Sequence, residues 1–251
     1  GSATGGPASI TVSPNEAVAA DGFTAPAANN DIYEALPLGD GRALVVGDFT
    51  EITDGANTAG PYIALVYEDG SVEDVPDLAF DGSIRALDRQ ADGKILLSGY
   101  FSTVNGLTRT MAARLNTDLT LDTGFDPVPL NGGYVGGAFD IVEEPSGSIL
   151  VVGGFSNTTH DPEIYYVVRM TASGAYDPSF TGSPNWTVER ALPLGNGNTA
   201  FFGNFSAWNQ DFAQAYLVIT DGNGDPVDGL SPPDFQSFSF GNEALLLDGG
   251  D

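Results

Sequence analysis

Cysteine is absent from the 251 residues, which excludes disulfides, thiolate metal sites and cysteine nucleophiles. Basic residues are almost as scarce. Lys94 is the only lysine, and 8 cationic side chains stand against 34 acidic ones, a formal net charge of -26. Phosphate binding requires a basic footprint, so such a surface repels nucleic acid and anionic membranes, and nucleic acid is not expected as a partner. His160 is the only histidine and cannot build a His-based zinc site alone. It reads as an exposed loop residue, since no nucleophile-elbow motif accompanies it. No apolar run reaches the length of a spanning helix, so membrane insertion is not expected. Glycine follows no G-x-y period, which excludes collagen.

What is present is glycine, aspartate and a repeat. The 33 glycines and 16 prolines predict many turns, and 41% hydrophobic residues suffice for a sizeable core. The acidic surface favours cations and solubility at high ionic strength, as expected of a marine, halophilic or secreted source. Gly1-Ser2 reads as a cloning remnant, and the chain as an excised or processed segment.

The stretch Ala43-Leu44-Val45-Val46-Gly47-Asp48-Phe49 recurs at 95–101, 149–155 and 199–205. A turn glycine precedes each motif glycine by six residues: Gly41, Gly93, Gly147 and Gly197. With Gly250 these are spaced by 52, 54, 50 and 53 residues. Several short strands per period of about 50 residues read as a propeller blade of about four strands. The first strand of each unit is predicted at 32–38, 84–89, 138–143, 188–194 and 242–247. A tight Gly/Asp/Asn turn leads to the second, nearly all-apolar strand, as expected of one buried on both faces. The third strand is predicted at 62–67, 111–115, 164–170 and 216–220, and a short fourth ends at Phe80, Phe125, Phe180 or Leu230. The motif glycines are expected where the second strand meets the next blade or bends. Phe49, Phe101, Phe155 and Phe205 are expected between blades. Residues 8–13 read as a third strand and 19–23 as the end of a fourth. The fold class is therefore all-β, a propeller of one domain over 1–251. It is expected to have five blades at 32–80, 84–125, 138–180, 188–230 and a composite of 8–23 with 239–251, closing the sheet edges.

Asp92-Gly93-Lys94-Ile95-Leu96-Leu97-Ser98-Gly99-Tyr100-Phe101, then Ala113-Arg114-Leu115-Asn116, then Leu121-Asp122-Thr123-Gly124-Phe125, resembles the delta-60-repeat β-propeller family. The third repeat keeps Val168-Arg169-Met170 and Tyr176-Asp177-Pro178-Ser179-Phe180, whereas the first and fourth lack the arginine. The resemblance implies a propeller in a cell-surface or secreted setting, and no catalytic residues.

Several motifs are candidate sites. Glu34, Arg85, Asp140, Arg190 and Glu243 each occupy one aligned position of the first strand and would form a charged ring of alternating sign. Asp221, Asn223 and Asp225, with Asp228 behind them, have the alternate spacing of hard oxygen ligands, and calcium is the candidate ion. Pro226 departs from calcium loops, and the segment also fills the ordinary turn between third and fourth strands. Trp208 and Phe212 lie in the excursion between second and third strands. Trp186 and Tyr134 lie in crossovers between units. These four aromatics are the candidate ligand site, on one loop-bearing face. Glu143-Glu144 point to opposite faces of a strand, a poor glycosidase pair. The glycine-rich 132–137 lacks dinucleotide spacing.

The expected function is a non-enzymatic recognition, adhesion or spacer module of an extracellular bacterial surface or secreted protein, with a protein or glycan partner. A virion decoration or tail component is the alternative, and a hydrolase with its site at the propeller mouth a second one.

Overall fold

The computed structural model describes residues 24–132, 136–160, 162–209 and 216–227. The expected strands 8–13 and 242–247, the segment 19–23, Leu230 and Glu243 lie outside them, as do Tyr134, Phe212 and Asp228. The described residues form strands and turns and no helix. They fall into two compact units, one ending at Val75 and one beginning at Pro76.

The first unit holds β1 (Ala27–Ala28), β2 (Ile32–Pro37), β3 (Arg42–Gly47), β4 (Ile52–Thr53), β5 (Thr58–Ala59), β6 (Ile63–Tyr67) and β7 (Val72–Glu73). Its antiparallel sheet has the order β2-β3-β6-β7, and β1-β4-β5 form a smaller one. Val45, Phe49, Ile52, Ala59, Ala64 and Val72 make its core.

The second unit contains three further sheets. β8 (Ile84–Arg89), β9 (Ile95–Gly99) and β12 (Ala112–Leu115) form one, with β10 (Thr103–Val104) and β11 (Leu107–Thr108) as a side hairpin. β13 (Asn131–Gly132), β14 (Ala138–Glu143), β15 (Ile149–Asn157) and β16 (Ile164–Met170) form the next. β17 (Val188–Pro193), β18 (Thr199–Gly203) and β19 (Leu217–Thr220) form the last. β14 lies against both β8 and β17, so the first strands of these three sheets are neighbours. Phe155 packs with Leu96, Ala112 and Phe125 of the preceding sheet. Phe205 packs with Leu150, Val152 and Phe180. Phe49, Phe101, Phe155 and Phe205 are all buried.

The motif glycines have a cause other than the expected one. Each first strand carries a bulge: Ile32 pairs with Gly47 but Glu34 with Val46, leaving Tyr33 extra. Arg85, Phe139 and Glu189 are extra at the same point of their sheets. The bulge pushes the first strand onto the glycine. A Cβ on Gly47, Gly99, Gly153 or Gly203 would lie 3.0, 2.8, 2.8 or 2.7 Å from the facing Cα, and nearer still to the carbonyl oxygen before it. The glycine therefore answers to its own sheet, not to the next blade.

This register also corrects the charged ring. Opposite the residue before each motif glycine stand Glu34, Ala86, Asp140 and Arg190. Arg85 is one step off, at the bulge. Counted back from the motif glycine, Glu34, Ala86, Asp140 and Arg190 each stand thirteen residues before it and Arg85 fourteen, so the expected ring was out of step by one residue in the second repeat.

A second recurrent device marks the third strand. Tyr62, Met111, Tyr166 and Tyr216 adopt left-handed φ of 67°, 64°, 61° and 73°, a conformation bulky residues rarely take. The first, second and fourth donate their N–H to the carbonyls of Phe49, Phe101 and Phe205. Each also accepts from its motif-glycine N–H. The third strands consequently begin at Ile63, Ala112 and Leu217, one residue later than expected.

The expected fourth strand shrinks to β7 in the first unit. In the second unit it is reduced to the single pairings Leu115–Leu121, Met170–Tyr176 and Thr220–Pro226. Asp122 accepts from the N–H of Gly124, and Asp177 from that of Ser179, so the chain turns away at once. The excursion between second and third strands then folds back over this edge. The Val72 N–H donates to Asp54, the His160 ring packs on Tyr176, and Trp208 reaches Gly224. Covering an edge in this way blocks strand-to-strand aggregation.

Candidate functional site

The three sheets of the second unit are joined by charged side chains. Arg114 Nε donates to Asp122 Oδ2 at 2.8 Å, its guanidinium lies 4.7 Å over the Phe125 ring, and Nη1 donates to Ala172 O of the next repeat at 2.7 Å. Arg169 repeats this with Asp177, the Phe180 ring and Gly222 O. The Arg-Leu-Asn and Asp-x-x-Phe signatures are thus two halves of one clasp between repeats. Ile219 pairs opposite Ala200, the place that Arg114 and Arg169 take opposite Leu96 and Leu150. The last described repeat therefore carries no such arginine.

The first strands are joined through carboxylates. Asp88 accepts from the Glu143 N–H, Glu143 from the Ala91 N–H, and Asp140 from the Ala191 N–H. Burial raises Asp88 and Glu144 above the usual carboxylate range, and does the same to Asp140 despite Arg190 at 3.3 Å. Glu189 is also raised by burial, against the nearby Arg85 and Arg190. Among the described residues no group of three or more acidic or histidine side chains converges as a metal site.

The turn at 221–225 is a backbone cap. Asp221 Oδ1 accepts from the N–H groups of Asn223 and Asp225, and Asp225 Oδ1 accepts from Asn209 Nδ2. Asn223 O accepts from the Thr181 N–H, which seats the preceding repeat on the turn. Asp126 N and Val128 N dock in the same way on Ser173 O and Gly174 O one repeat earlier. Of the groups expected to hold calcium, Asp221 Oδ1 caps the turn and Asp225 Oδ1 meets Asn209, while the docking runs through the Asn223 backbone carbonyl.

Trp208 corrects a second expectation. It is fully buried, its ring 4.8 Å from Phe201 and 5.5 Å from Phe205, and its Nε1 donates to Gly224 O at 2.8 Å. It stands three residues after Phe205, where Ile52 follows Phe49 and Val104 follows Phe101, both fully buried. It belongs to the core because the position is a core position.

Trp186 is 43% exposed. Its ring lies 6.0 Å from Tyr166, and Tyr166 lies 6.0 Å from Tyr165, itself 38% exposed. The row is fixed at both ends. Asn185 accepts from the N–H groups of Ser206 and Ala207 and donates to Ser206 Oγ, and Thr187 is buried. The Tyr165 hydroxyl donates to Glu163 Oε2 at 2.6 Å, and this bond raises Tyr165 above the ordinary phenol range. Tyr100 is a separate exposed ring, packed on Gly137 and 6.2 Å from Phe139, which Arg85 covers. Sequence reasoning singled out Trp186 as a candidate and passed over Tyr165, Tyr166 and Tyr100. One signal was available for the Trp186 anchor. Asn29, Asp81 and Asn185 each stand eighteen residues before a motif glycine and cap the same backbone amides.

Residues 90–125 match the family described as a domain of unknown function (DUF5122) beta-propeller. Among solved structures the chain is similar to a protein of unknown function from Bacteroides caccae, at 19% identity and a TM-score of 0.39, covering 78% of this chain and 65% of that one. The chain thus spans less than two thirds of that protein's length. No curated protein matches. The fold class is all-β, of the β-propeller kind.

Proposed function

We propose that this chain is a non-enzymatic recognition module of an extracellular bacterial surface or secreted protein. Its propeller is of the delta-60-repeat kind, with five blades, one of them a composite of the two ends. The span 90–125 matched by the propeller family is also where the delta-60 signature reads most fully, which supports that assignment. The observation that carries the function is the exposed, rigidly anchored row Tyr165–Tyr166–Trp186. Aromatic anchors of few rotamers are efficient contact residues. Asp88, Glu143 and Asp140, by contrast, accept from backbone N–H groups, an arrangement that positions strands.

The test is binding of the labelled domain to intact bacterial and host cell surfaces, compared with Trp186→Ala. Saturable binding that falls at least about tenfold in the variant is expected. Binding to no surface, or equal binding by the variant, would overturn the reading.

A further inference from the structure

Building on the proposed recognition role, we infer that the row Tyr165–Tyr166–Trp186 binds an uncharged carbohydrate chain. The rings are stepped, tilted 42° and 45° to one another over two spacings of 6.0 Å, the reach of a di- or trisaccharide. A pyranose presents an apolar C–H face to such rings and a rim of hydroxyls to polar neighbours. The Glu163 carboxylate, already holding the Tyr165 hydroxyl, stands at that rim as an acceptor.

Size and charge separate this ligand from the others. A stable protein partner buries about 1,200–2,000 Å² around an apolar centre. The exposed large hydrophobics among the described residues are Tyr100, Leu107, Tyr165 and Trp186, too few for such a centre. An anionic ligand would approach a chain of net charge -26 against repulsion. A quaternary ammonium would suit the rings through cation–π attraction, but the described residues form no enclosing cage: Trp186 and Tyr165 are 43% and 38% exposed.

The protein carries its own reporter. Trp186 is exposed and Trp208 fully buried, and these are the only two tryptophans. Acrylamide, an uncharged quencher, should therefore quench Trp186 selectively. Short cello-, chito-, manno- and xylo-oligosaccharides are titrated against this signal, with a sulfated oligosaccharide and tetramethylammonium as comparison probes. At least one neutral saccharide should protect Trp186. Its affinity should hold between about 0.05 and 0.5 M NaCl, because no charge is screened. Tyr165→Ala, which keeps both tryptophans, should weaken protection at least about tenfold. Protection by the sulfated or ammonium probe alone, or an affinity that collapses with salt, would overturn the inference. So would no protection by any neutral saccharide. If cell-surface binding still depended on Trp186 in that last case, the recognition role would stand and the carbohydrate class would fall. If both were lost, both readings would fall.

Discussion

Gly153→Ala tests the central structural claim, that the repeated glycine exists because the bulged first strand rests on it. The added Cβ would lie 2.8 Å from Ala138 Cα and 3.0 Å from Phe139 N, both backbone atoms that no rotamer change can move. Ordinary contact begins near 3.4 Å, so β14 must retreat from β15. The Gly154 N–H to Gly137 O bond of 2.8 Å would be lost with it. Overpacking of this kind costs about 1–3 kcal/mol, and the hydrogen bond about 1 kcal/mol more. Reduced freedom of the unfolded chain returns about 0.4–1 kcal/mol. The net loss is about 1–3.6 kcal/mol, a fall in Tm of about 2–14 °C for a domain of this size. Calorimetry and urea unfolding would measure it. Gly147→Ala is the control: its φ is +82° and nothing lies within 4 Å of its would-be Cβ. It should cost only the left-handed penalty, about 1–2 kcal/mol. If Gly153→Ala melted at or above the parent, or cost less than Gly147→Ala, the bulge explanation would fail.

Phe155→Ala should cost about 3–5 kcal/mol in urea unfolding, since the ring is fully buried between two sheets; a loss under about 1 kcal/mol would show that the sheets part there without penalty. Glu144→Gln should stabilise at pH 7. Burial raises this carboxyl, so its penalty is absent below the unfolded value near 4.3, develops as pH rises, and is complete above the folded value. The gain in Tm should therefore shrink towards pH 4, and a gain independent of pH would refute it. Asp177→Asn should behave in the opposite sense. Burial pushes Asp177 up, but bonds from Ser179 and Arg169 outweigh this and hold it below the usual range. Its stabilisation is present above the unfolded value near 3.9 and lost as pH falls through the folded value. The variant should thus melt lower at pH 7 and converge with the parent in acid; a deficit undiminished below about pH 3 would count against the ion pair.

The expectation for Glu144 draws on the repeat itself. Gln90 occupies the equivalent place, one residue beyond the first strand, and its Oε1 lies 3.4 Å from Arg114 Nη1. Glu144 stands 3.7 Å from Arg169, with Oε2 buried and no hydrogen bond to it. A neutral amide is therefore already accommodated by this clasp geometry. Periodicity exposed such equivalences readily. Strand order, the turn glycines and the buried phenylalanines all follow from hydrophobic pattern and turn chemistry, which act within a few residues. The burial of Trp208 was legible too, in the spacing from Phe49 to Ile52 and from Phe101 to Val104. Its ring size drew attention to function, while its position in the repeat marked core.

Other features were hidden because they depend on breaks in local regularity. The bulge is one such break: nothing in the apolar pattern marks Tyr33, Arg85, Phe139 and Glu189 as the extra residues of their strands. The aromatic row is the sharper case. Adjacent residues of a strand normally point to opposite faces, which would separate Tyr165 from Tyr166. In the structure Tyr166 takes a φ of 61°, and the register with β15 shifts between Val152 and Ser156. That irregularity leaves both rings on one side, 6.0 Å apart, and turns Tyr166 towards Trp186 of the next repeat. The same left-handed residue opens the third strand of the other repeats, where Tyr62, Met111 and Tyr216 hold the motif phenylalanine by its carbonyl. A device that secures the core in the first, second and fourth repeats thus also presents a surface in the third. The presented surface arises only because β15 and β16 run longer there, to Asn157 and from Ile164, than the equivalent strands of the other sheets.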